Sequence, residues 1–207
     1  MRIIETDACV AEGAAWLAAR EPRFRAALEL AGPLPLRRTS DGFDRLLSAI
    51  VSQQVSVAAA RAIFGRLEAQ GLTTPEAVLA ASEEALRGAG LSRQKVRYAR
   101  ALAEAGIDFE ALRLLPTDEV VRTLVAVPGI GVWTAEIYAM FALGHADVFA
   151  PGDLALQVGA QMVLGLPERP RERALRRIAE DWSPWRSVAA NILWVHYTRE
   201  TARAGVA

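Results

Sequence analysis

The sequence predicts an all-α protein, and three of its properties lead to that fold class. Ala and Leu are abundant and runs of β-branched residues are few, which favours helices. Apolar residues recur at intervals of three and four along much of the chain, without the convincing period-two alternation of a strand. The hydrophobic fraction of 52% is ample for a buried core. A length of 207 residues fits one domain or two small lobes that share a core.

Helices are predicted from near the N-terminus onward. Residues 10–31 form one or two helices, which Pro22 would separate. A link that contains proline and arginine follows over 32–42. The next helix has one apolar face, made by Phe43, Leu46, Leu47, Ile50 and Val51. The pattern resumes at Val57, so the polar segment 52–56 is predicted to be an exposed loop between two helices.

Residue types that start and stop helices mark the remaining elements. Helix starts are predicted at Thr74-Pro75, Val132, Leu154, Pro170 and Pro184, and Ser82, Ser92 and Thr117 are predicted as N-caps of further helices. The helix from Val132 ends at Gly144. A loop over 147–152 follows, and Asp153 opens the helix 154–164.

Composition and cysteine content exclude several kinds of site. The formal net charge is zero, so composition alone does not indicate a nucleic-acid partner. Cys9 is the only cysteine, so the chain can form neither an internal disulfide nor a thiolate-held zinc site or iron–sulfur cluster. The first ten residues lack the apolar core of a signal peptide, and no run approaches the roughly 20 apolar residues of a membrane span. We therefore expect a soluble protein in a reducing, intracellular setting.

The segment Leu124–Ala135 is the most informative part of the chain. It predicts a helix, a tight turn around Pro128, Gly129 and Gly131, and a second helix. Backbone N–H groups at the start of a helix bind anions, and glycines allow a phosphate to approach the chain closely. The same residues also fit an ordinary turn between two helices, so the motif alone leaves both interpretations open.

Two basic segments supply local positive charge in this neutral chain. Residues 93–100 contain four basic side chains and no acid, and residues 169–177 contain five arginines and one glutamate. Either segment fits a solvated helix face. Their occurrence together with the glycine hairpin favours DNA contact, because a neutral protein can bind DNA when its charge is asymmetric.

Four segments, in this order along the chain, carry a resemblance to a known family. They are Ile50–Ser56, Val127–Ala135, Asp147–Asp153 and Trp182–Ser187 leading to Trp194. Together they resemble the helix–hairpin–helix glycosylase superfamily of base-excision repair (HhH-GPD), and within it the 3-methyladenine DNA glycosylase II (AlkA-type) branch. The resemblance implies two helical lobes with a DNA-binding and catalytic cleft between them. The roughly 40 residues before the first shared helix look helical, so no full N-terminal sheet domain is expected.

The resemblance also implies a division of the chain and a set of partners. The whole of 1–207 is expected to form one glycosylase unit. One lobe would be the six-helix part over 43–145 with the hairpin at 127–131, and the other would combine 1–42 with 146–207. The expected partner is duplex DNA with alkylated bases, met in the bacterial cytoplasm at the nucleoid. The protein would act as a monomer and leave its product to downstream abasic-site repair enzymes.

Site residues follow from the resemblance position by position. Asp153 matches the catalytic acid. The base pocket matches Trp133, Trp194 and Ile137. The wedge that enters the duplex matches Gln54, with Gln53 beside it.

The DNA backbone would contact Gly129, Ile130, Gly131 and Thr134. A sodium or potassium ion would bind the backbone carbonyls of Val125, Val127 and Ile130, and no cofactor for catalysis is expected.

The chemistry of base excision explains why these residue types are needed. Cleavage of the N-glycosidic bond builds positive charge on the sugar, which the carboxylate of Asp153 would stabilise. Asp153 also fits a simple helix cap. Asp147 is interpreted as a brace of its loop, and His145 and His196 as structural. Core filling fits the other tryptophans, which are Trp16, Trp182 and Trp185.

One position bears on whether the enzyme also cuts the DNA strand. Bifunctional members of the superfamily carry a lysine two residues after the second hairpin glycine, where this chain has Trp133, which cannot form a Schiff base. The sequence therefore predicts a monofunctional enzyme for bases of the 3-methyladenine type, with 7-methylguanine, 1-methyladenine and 3-methylcytosine as further candidates. Two alternatives stay open: a non-catalytic module that binds DNA lesions, and an enzyme for oxidised or mismatched bases.

Overall fold

The computed structural model describes residues 1–203, which are built from helices. No strand forms within these residues, and an isolated antiparallel bridge joins Ile3 to His145. The predicted all-α class is confirmed. None of the described helices is long and apolar enough to cross a membrane.

The helices follow one another with short connections. They are α1 (Asp7–Arg20), α2 (Pro22–Ala31), α3 (Phe43–Ser52), α4 (Val57–Ala69), α5 (Pro75–Ala80), α6 (Glu83–Gly88), α7 (Arg93–Glu104), α8 (Phe109–Leu114), α9 (Thr117–Val125), α10 (Val132–Phe141), α11 (Leu154–Leu164), α12 (Glu172–Ile178) and α13 (Arg186–Arg203), with a 3₁₀ turn over Ala179–Trp182 before α13.

The chain divides into two compact units. One combines Met1–Arg38 with Ala139–Ala207, and the other is Thr39–Tyr138. Sequence reasoning placed the boundaries after residues 42 and 145, whereas the second division found in the structure falls inside α10. Because a helix is continuous through its own hydrogen bonds, its sequence gives no local signal for such a boundary.

Helix α3 is central to the unit Thr39–Tyr138. The five apolar residues predicted for its inner face are all buried, namely Phe43, Leu46, Leu47, Ile50 and Val51. This face packs against α4 and α7. Helix α7 buries Val96, Ala99 and Leu102 and keeps its basic side chains on other faces. Full burial of a single Leu or Ile side chain contributes about 1.5–3 kcal/mol, so this contact is a large part of the unit's stability.

Tyr138 connects the link before α3 to α10 within the same unit. Its hydroxyl oxygen accepts a hydrogen bond of 2.9 Å from the amide of Gly42, which is the residue that precedes α3. Burial raises the pKa of Tyr138 to about 12. The side chain is therefore a neutral phenol at physiological pH and serves as a structural anchor.

The unit made of Met1–Arg38 and Ala139–Ala207 is organised around α13. This helix packs against α11, α2 and α1. Trp182 and Trp185 are buried, as predicted, and the Trp182 ring lies 5.2 Å from Phe24 and 5.3 Å from Phe149, measured between ring centroids. Trp16 differs from the prediction, because it is only partly buried and Arg20 lies over its ring at 3.8 Å. Its place on the outer side of α1 leaves it without a core to fill.

A glycine on α11 allows a very close approach to α13. A Cβ atom at Gly159 would lie 2.6 Å from the carbonyl oxygen of Leu193, which is closer than Cβ atoms come in proteins. The two backbones therefore touch at this point. The contact places the middle of α11 beside the middle of α13, where Trp194 follows Leu193.

Most predicted helix starts are confirmed by their caps. The side chains of Ser82, Ser92 and Asp153 each accept a hydrogen bond from a backbone N–H in the first turn of the helix that follows. The helix predicted at Thr117 is present as α9, but the prediction that Thr117 caps it was wrong, because Thr117 is the first helical residue and Pro116 occupies the cap position. Helix α8 was missed, although its cap Asp108 was a usable signal.

The two last predicted starts are displaced by two residues. Helices α12 and α13 begin at Glu172 and Arg186, not at Pro170 and Pro184. At the second site the Trp185 amide donates to the carbonyl of Trp182, so Pro184 lies in a turn that precedes the helix. Proline suits turns as well as first helical positions, and its sequence signal does not separate the two.

The pH dependence of unfolding should report the burial of His145. Burial, together with the positive charge of Arg38 and the N-terminus, lowers the pKa of His145 from 6.5 to about 4. Between these values the unfolded chain binds the proton and the folded chain does not, so this contribution is complete above pH 6.5 and is lost as pH falls. A change from about pH 7.5 to about pH 5 should lower the free energy of unfolding by about 2 kcal/mol through this residue.

The measurement is urea unfolding at both pH values for the native chain and for His145→Gln. Glutamine does not titrate, so the variant should lose roughly 2 kcal/mol less stability than the native chain over this pH change. An equal loss in both proteins would contradict the assignment.

Candidate active site and nucleic-acid interface

Asp153 lies at the start of α11, where its carboxylate is held by two donors. The Oδ1 atom accepts a hydrogen bond of 3.0 Å from the backbone amide of Leu156 and one of 3.3 Å from the indole Nε1 of Trp194. The side chain is partly exposed. The N-terminus of α11 adds the positive end of a helix dipole, which stabilises a negative charge at this position.

Trp194 is almost fully buried on α13. Its exposed fraction is 9%, and the Phe141 ring lies 5.4 Å away between centroids. The Arg37 guanidinium lies 5.8 Å from the ring centroid. Trp194 was predicted as a wall of the base pocket. In the structure its indole N–H donates to Asp153, and little of the ring is accessible to a ligand.

The loop before Asp153 is braced by Asp147, as predicted. Its carboxylate accepts hydrogen bonds from Ser183 Oγ at 2.8 Å and from Arg186 Nε at 2.6 Å. Burial raises the pKa of Asp147, but the hydrogen bonds from Arg186 and Ser183 outweigh it and leave this pKa below its usual value. The buried hydroxyl of Ser187 lies 2.6 Å from the carbonyl oxygen of His145 and 3.0 Å from that of Val148, so that its one hydrogen is shared between the two acceptors. These contacts hold the loop in one conformation.

The predicted hairpin is present between α9 and α10. The amide of Ile130 donates to the carbonyl of Val127 at 3.1 Å, which closes the turn. Gly129 has a φ of +94°, a conformation that L side chains rarely adopt. Gly131 is exposed and Thr134 is buried at the start of α10. The side chains of Val127 and Ile130 point into the core, whereas Val125 is partly exposed.

The loop between α3 and α4, residues 53–56, contains the predicted wedge and is named the wedge loop here. Gln54 is exposed and has a φ of +57°. Among the described residues it is the non-glycine residue with a positive φ. Gln53 points elsewhere, because its Nε2 donates to the carbonyl of Gly129 in the hairpin at 2.8 Å. The structure therefore brings the wedge loop and the hairpin together and separates the roles of the two glutamines.

A groove of about 520 Å³ runs between the wedge loop and the hairpin. Its walls include Gln54 on one side and Gly129 and Gly131 on the other. Helix α7 forms the remaining wall with Lys95 and Tyr98, which sequence reasoning did not single out. Lys95 lay within a basic segment, but nothing in the local pattern indicated its partner.

A second cavity of about 230 Å³ lies beside Trp133 in the unit Thr39–Tyr138. Trp133 and Ile137 line it together with Leu46 and Ala49 of α3. Trp133 is 48% exposed, which is unusual for so large an apolar side chain. An exposed indole at the edge of an apolar cavity is suited to stack on a planar ligand.

The two basic segments differ in how many of their charged side chains make hydrogen bonds or ion pairs within the protein. In 93–100, Lys95 donates to the carbonyl of Val51 at 2.7 Å and Arg100 to that of Ala81 at 3.0 Å. Burial lowers the pKa of Lys95. In 169–177 all five arginines are exposed, and Arg176 pairs with Glu172 on α12. The first segment is thus partly structural.

The two hairpin glycines should respond differently to alanine. At Gly129 an added Cβ would lie 2.8 Å from Cβ of Tyr98, and the positive φ adds backbone strain. Gly129→Ala should lower the free energy of unfolding by about 1–3 kcal/mol. At Gly131 an added Cβ meets no heavy atom within 4 Å, so the loss should stay under about 1 kcal/mol. Urea unfolding of both variants measures the difference, and equal losses would contradict this geometry.

Comparison with known proteins gives a consistent picture. The model of the HhH-GPD superfamily base excision DNA repair proteins matches residues 47–184. A Schizosaccharomyces pombe protein named DNA-3-methyladenine glycosylase 1 is 31% identical over 161 residues, which are 73% of this chain and 71% of that protein. Escherichia coli DNA-3-methyladenine glycosylase 2 is 32% identical over 74% of this chain, which spans 57% of that protein.

Solved structures agree with these relatives. A crystal structure of a DNA-3-methyladenine glycosidase from Bacillus halodurans has a TM-score of 0.84 and 35% identity, covering 98% of this chain and 95% of that one. A Schizosaccharomyces pombe 3-methyladenine DNA glycosylase in complex with abasic DNA has a TM-score of 0.77 and 28% identity, covering 88% of this chain and 95% of that one. The predicted resemblance is confirmed, and the chain belongs to the HhH-GPD superfamily of base excision DNA repair proteins.

Proposed function

We propose that this protein is a monofunctional DNA glycosylase that removes alkylated bases, of the 3-methyladenine type, from duplex DNA. The observation that carries the proposal is the carboxylate of Asp153, held at the start of α11 by the Leu156 amide and the Trp194 indole. The similarity to proteins named 3-methyladenine glycosylases supports the same conclusion.

The reaction requires a fixed negative charge beside the sugar. The bond between C1′ and the base nitrogen breaks, its electron pair leaves with the base, and positive charge develops on the sugar ring. Asp153 would stabilise that charge, orient the water whose oxygen bonds to C1′ and accept the proton that this water loses. Two hydrogen bonds to a single carboxylate oxygen fix the carboxylate orientation before the substrate arrives. An alkylated base is already positively charged, so it leaves without a strong general acid.

The extruded base needs an apolar platform in place of its neighbours in the stack. Trp133, half exposed at the cavity of about 230 Å³, is suited to that task. Stacking of a base on an aromatic ring contributes about 1–3 kcal/mol, and a positively charged base adds a cation–π attraction. Trp194 is buried, so its proposed contribution is mainly to orient Asp153.

The hairpin is proposed to hold the DNA backbone. Backbone amides around Gly129 and the exposed Gly131 would donate to a phosphate at the start of α10. The carbonyls of Val125, Val127 and Ile130 are neutral oxygen donors of the kind that hard cations prefer. The Val127 carbonyl accepts one hydrogen bond and keeps a second lone pair. A sodium or potassium ion bound there would add positive charge beside the phosphate.

Replacement of Asp153 tests the proposal. Asp153→Asn keeps an oxygen for the Leu156 amide and for the helix cap, but it removes the charge. Release of 3-methyladenine from methylated duplex DNA should fall roughly 100-fold or more. Binding to a duplex with an abasic-site analogue should stay close to that of the native chain.

The matched control is Asp108→Asn, because Asp108 also caps a helix, accepting from the amides of Glu110 and Ala111. This control should release base at the native rate. Denaturing gels of the same reactions should show intact strands until alkali is added, since Trp133 cannot form a Schiff base. Native-rate release by Asp153→Asn, or binding without any release by the native chain, would refute the proposed chemistry. The second outcome would favour a lesion-binding module.

Ile137 is proposed to set the range of lesions. It lines the cavity beside Trp133, and its aliphatic side chain leaves more room there than an aromatic ring would, which would admit larger or differently shaped bases. The native chain should release 3-methylcytosine and 1-methyladenine as well as 3-methyladenine. Ile137→Tyr should reduce release of the first two and retain release of 3-methyladenine. A native chain without activity on 3-methylcytosine would contradict this assignment.

A further inference from the structure

The wedge loop adopts a strained backbone that its own sequence does not explain. Gln54 has a φ of +57°, in the left-handed region where a residue with a Cβ is disfavoured. Glycine would remove this strain, yet the chain has glutamine. Contacts outside the loop must therefore hold it in place.

One such contact joins the loop to the hairpin. Gln53 is partly buried, and its Nε2 donates to the carbonyl of Gly129 at 2.8 Å, across 76 residues of sequence. The side chain lines the groove between the two segments. This hydrogen bond fixes the residue next to Gln54 relative to the residue that begins the glycine turn.

Helix α7 makes two more contacts with the same segments. The Nζ of Lys95 donates to the carbonyl of Val51 at 2.7 Å, in the last turn of α3, where a cation is also favoured by the helix dipole. One turn further along α7, the ring of Tyr98 lies against Gly129, close enough that a Cβ there would clash. Helix α7 thus supports the end of α3 and the hairpin from one side.

We propose that Gln53 is a positioning residue that couples the hairpin to the wedge, with Lys95 as its support, and that it does not itself enter the duplex. A phosphate bound by the hairpin would then set the depth at which Gln54 enters the space left by the extruded base. The inference rests on the proposed glycosylase function and assigns Gln53 a different task from that of Gln54.

The proposal predicts a loss of base-release activity on duplex DNA and no loss on single-stranded DNA. Extrusion of a base from a duplex costs the free energy of unpairing, and a side chain that fills the space left behind offsets part of this cost. A base in a single strand is already unpaired, so it carries no such cost. Gln53→Met keeps the length of the side chain and removes the donor. It should slow single-turnover release of 3-methyladenine from a methylated oligonucleotide duplex roughly tenfold and leave release from the same oligonucleotide as a single strand unchanged.

The matched control is Gln70→Met at an exposed position after α4, which should leave the rate on duplex unchanged. Lys95→Met serves as the second variant and should lower the duplex rate relative to the single-strand rate in the same direction. Thermal unfolding identifies any variant that does not fold, in which case the other variant decides. An equal loss on both DNA forms, or no loss, would overturn the inference. If the native chain releases no base from the duplex and none from the single strand, the proposed function itself would be overturned.

Discussion

The contact between α11 and α13 at Gly159 is the constraint on which the candidate catalytic site depends. Only hydrogen fits between Gly159 and the carbonyl of Leu193, so the two helices meet backbone to backbone. This places Trp194 within hydrogen-bonding distance of the carboxylate at the start of α11. A larger residue at 159 would separate the helices and remove the indole from Asp153.

Hydrogen bonding of the surrounding loop extends this constraint. A loop with buried backbone must satisfy its polar groups, and here Ser187 serves two carbonyls while Asp147 binds Ser183 and Arg186. Asp147 and Asp153 are both acids near one helix start, yet they differ in task. Asp147 is engaged by a cation and a hydroxyl, whereas the donors described for Asp153 are a backbone amide and an indole. The amide and the indole orient the Asp153 carboxylate through uncharged donors.

Sequence reasoning was most successful where the controlling interactions are local. Residues within one or two helical turns determine the inner face of α3 and the caps at Ser82, Ser92 and Asp153. Their pattern can therefore be recognised in the sequence. It failed at Thr117, where proline provides the cap position, and at Trp16, whose apolar side chain lies on an outer helix face. It also treated Gln53 and Gln54 as one feature, because adjacent residues share a sequence context even when their side chains point in different directions.

The sequence by itself determined the helical class, the glycine hairpin and the acid that opens α11, since each depends on composition or short spacing. The tertiary structure alone decided which groups these residues meet. The Trp194 bond to Asp153 spans 41 residues and the Gln53 bond to Gly129 spans 76. Such partners are selected by how helices pack, and packing depends on buried surfaces from the whole unit, so no local pattern encodes them.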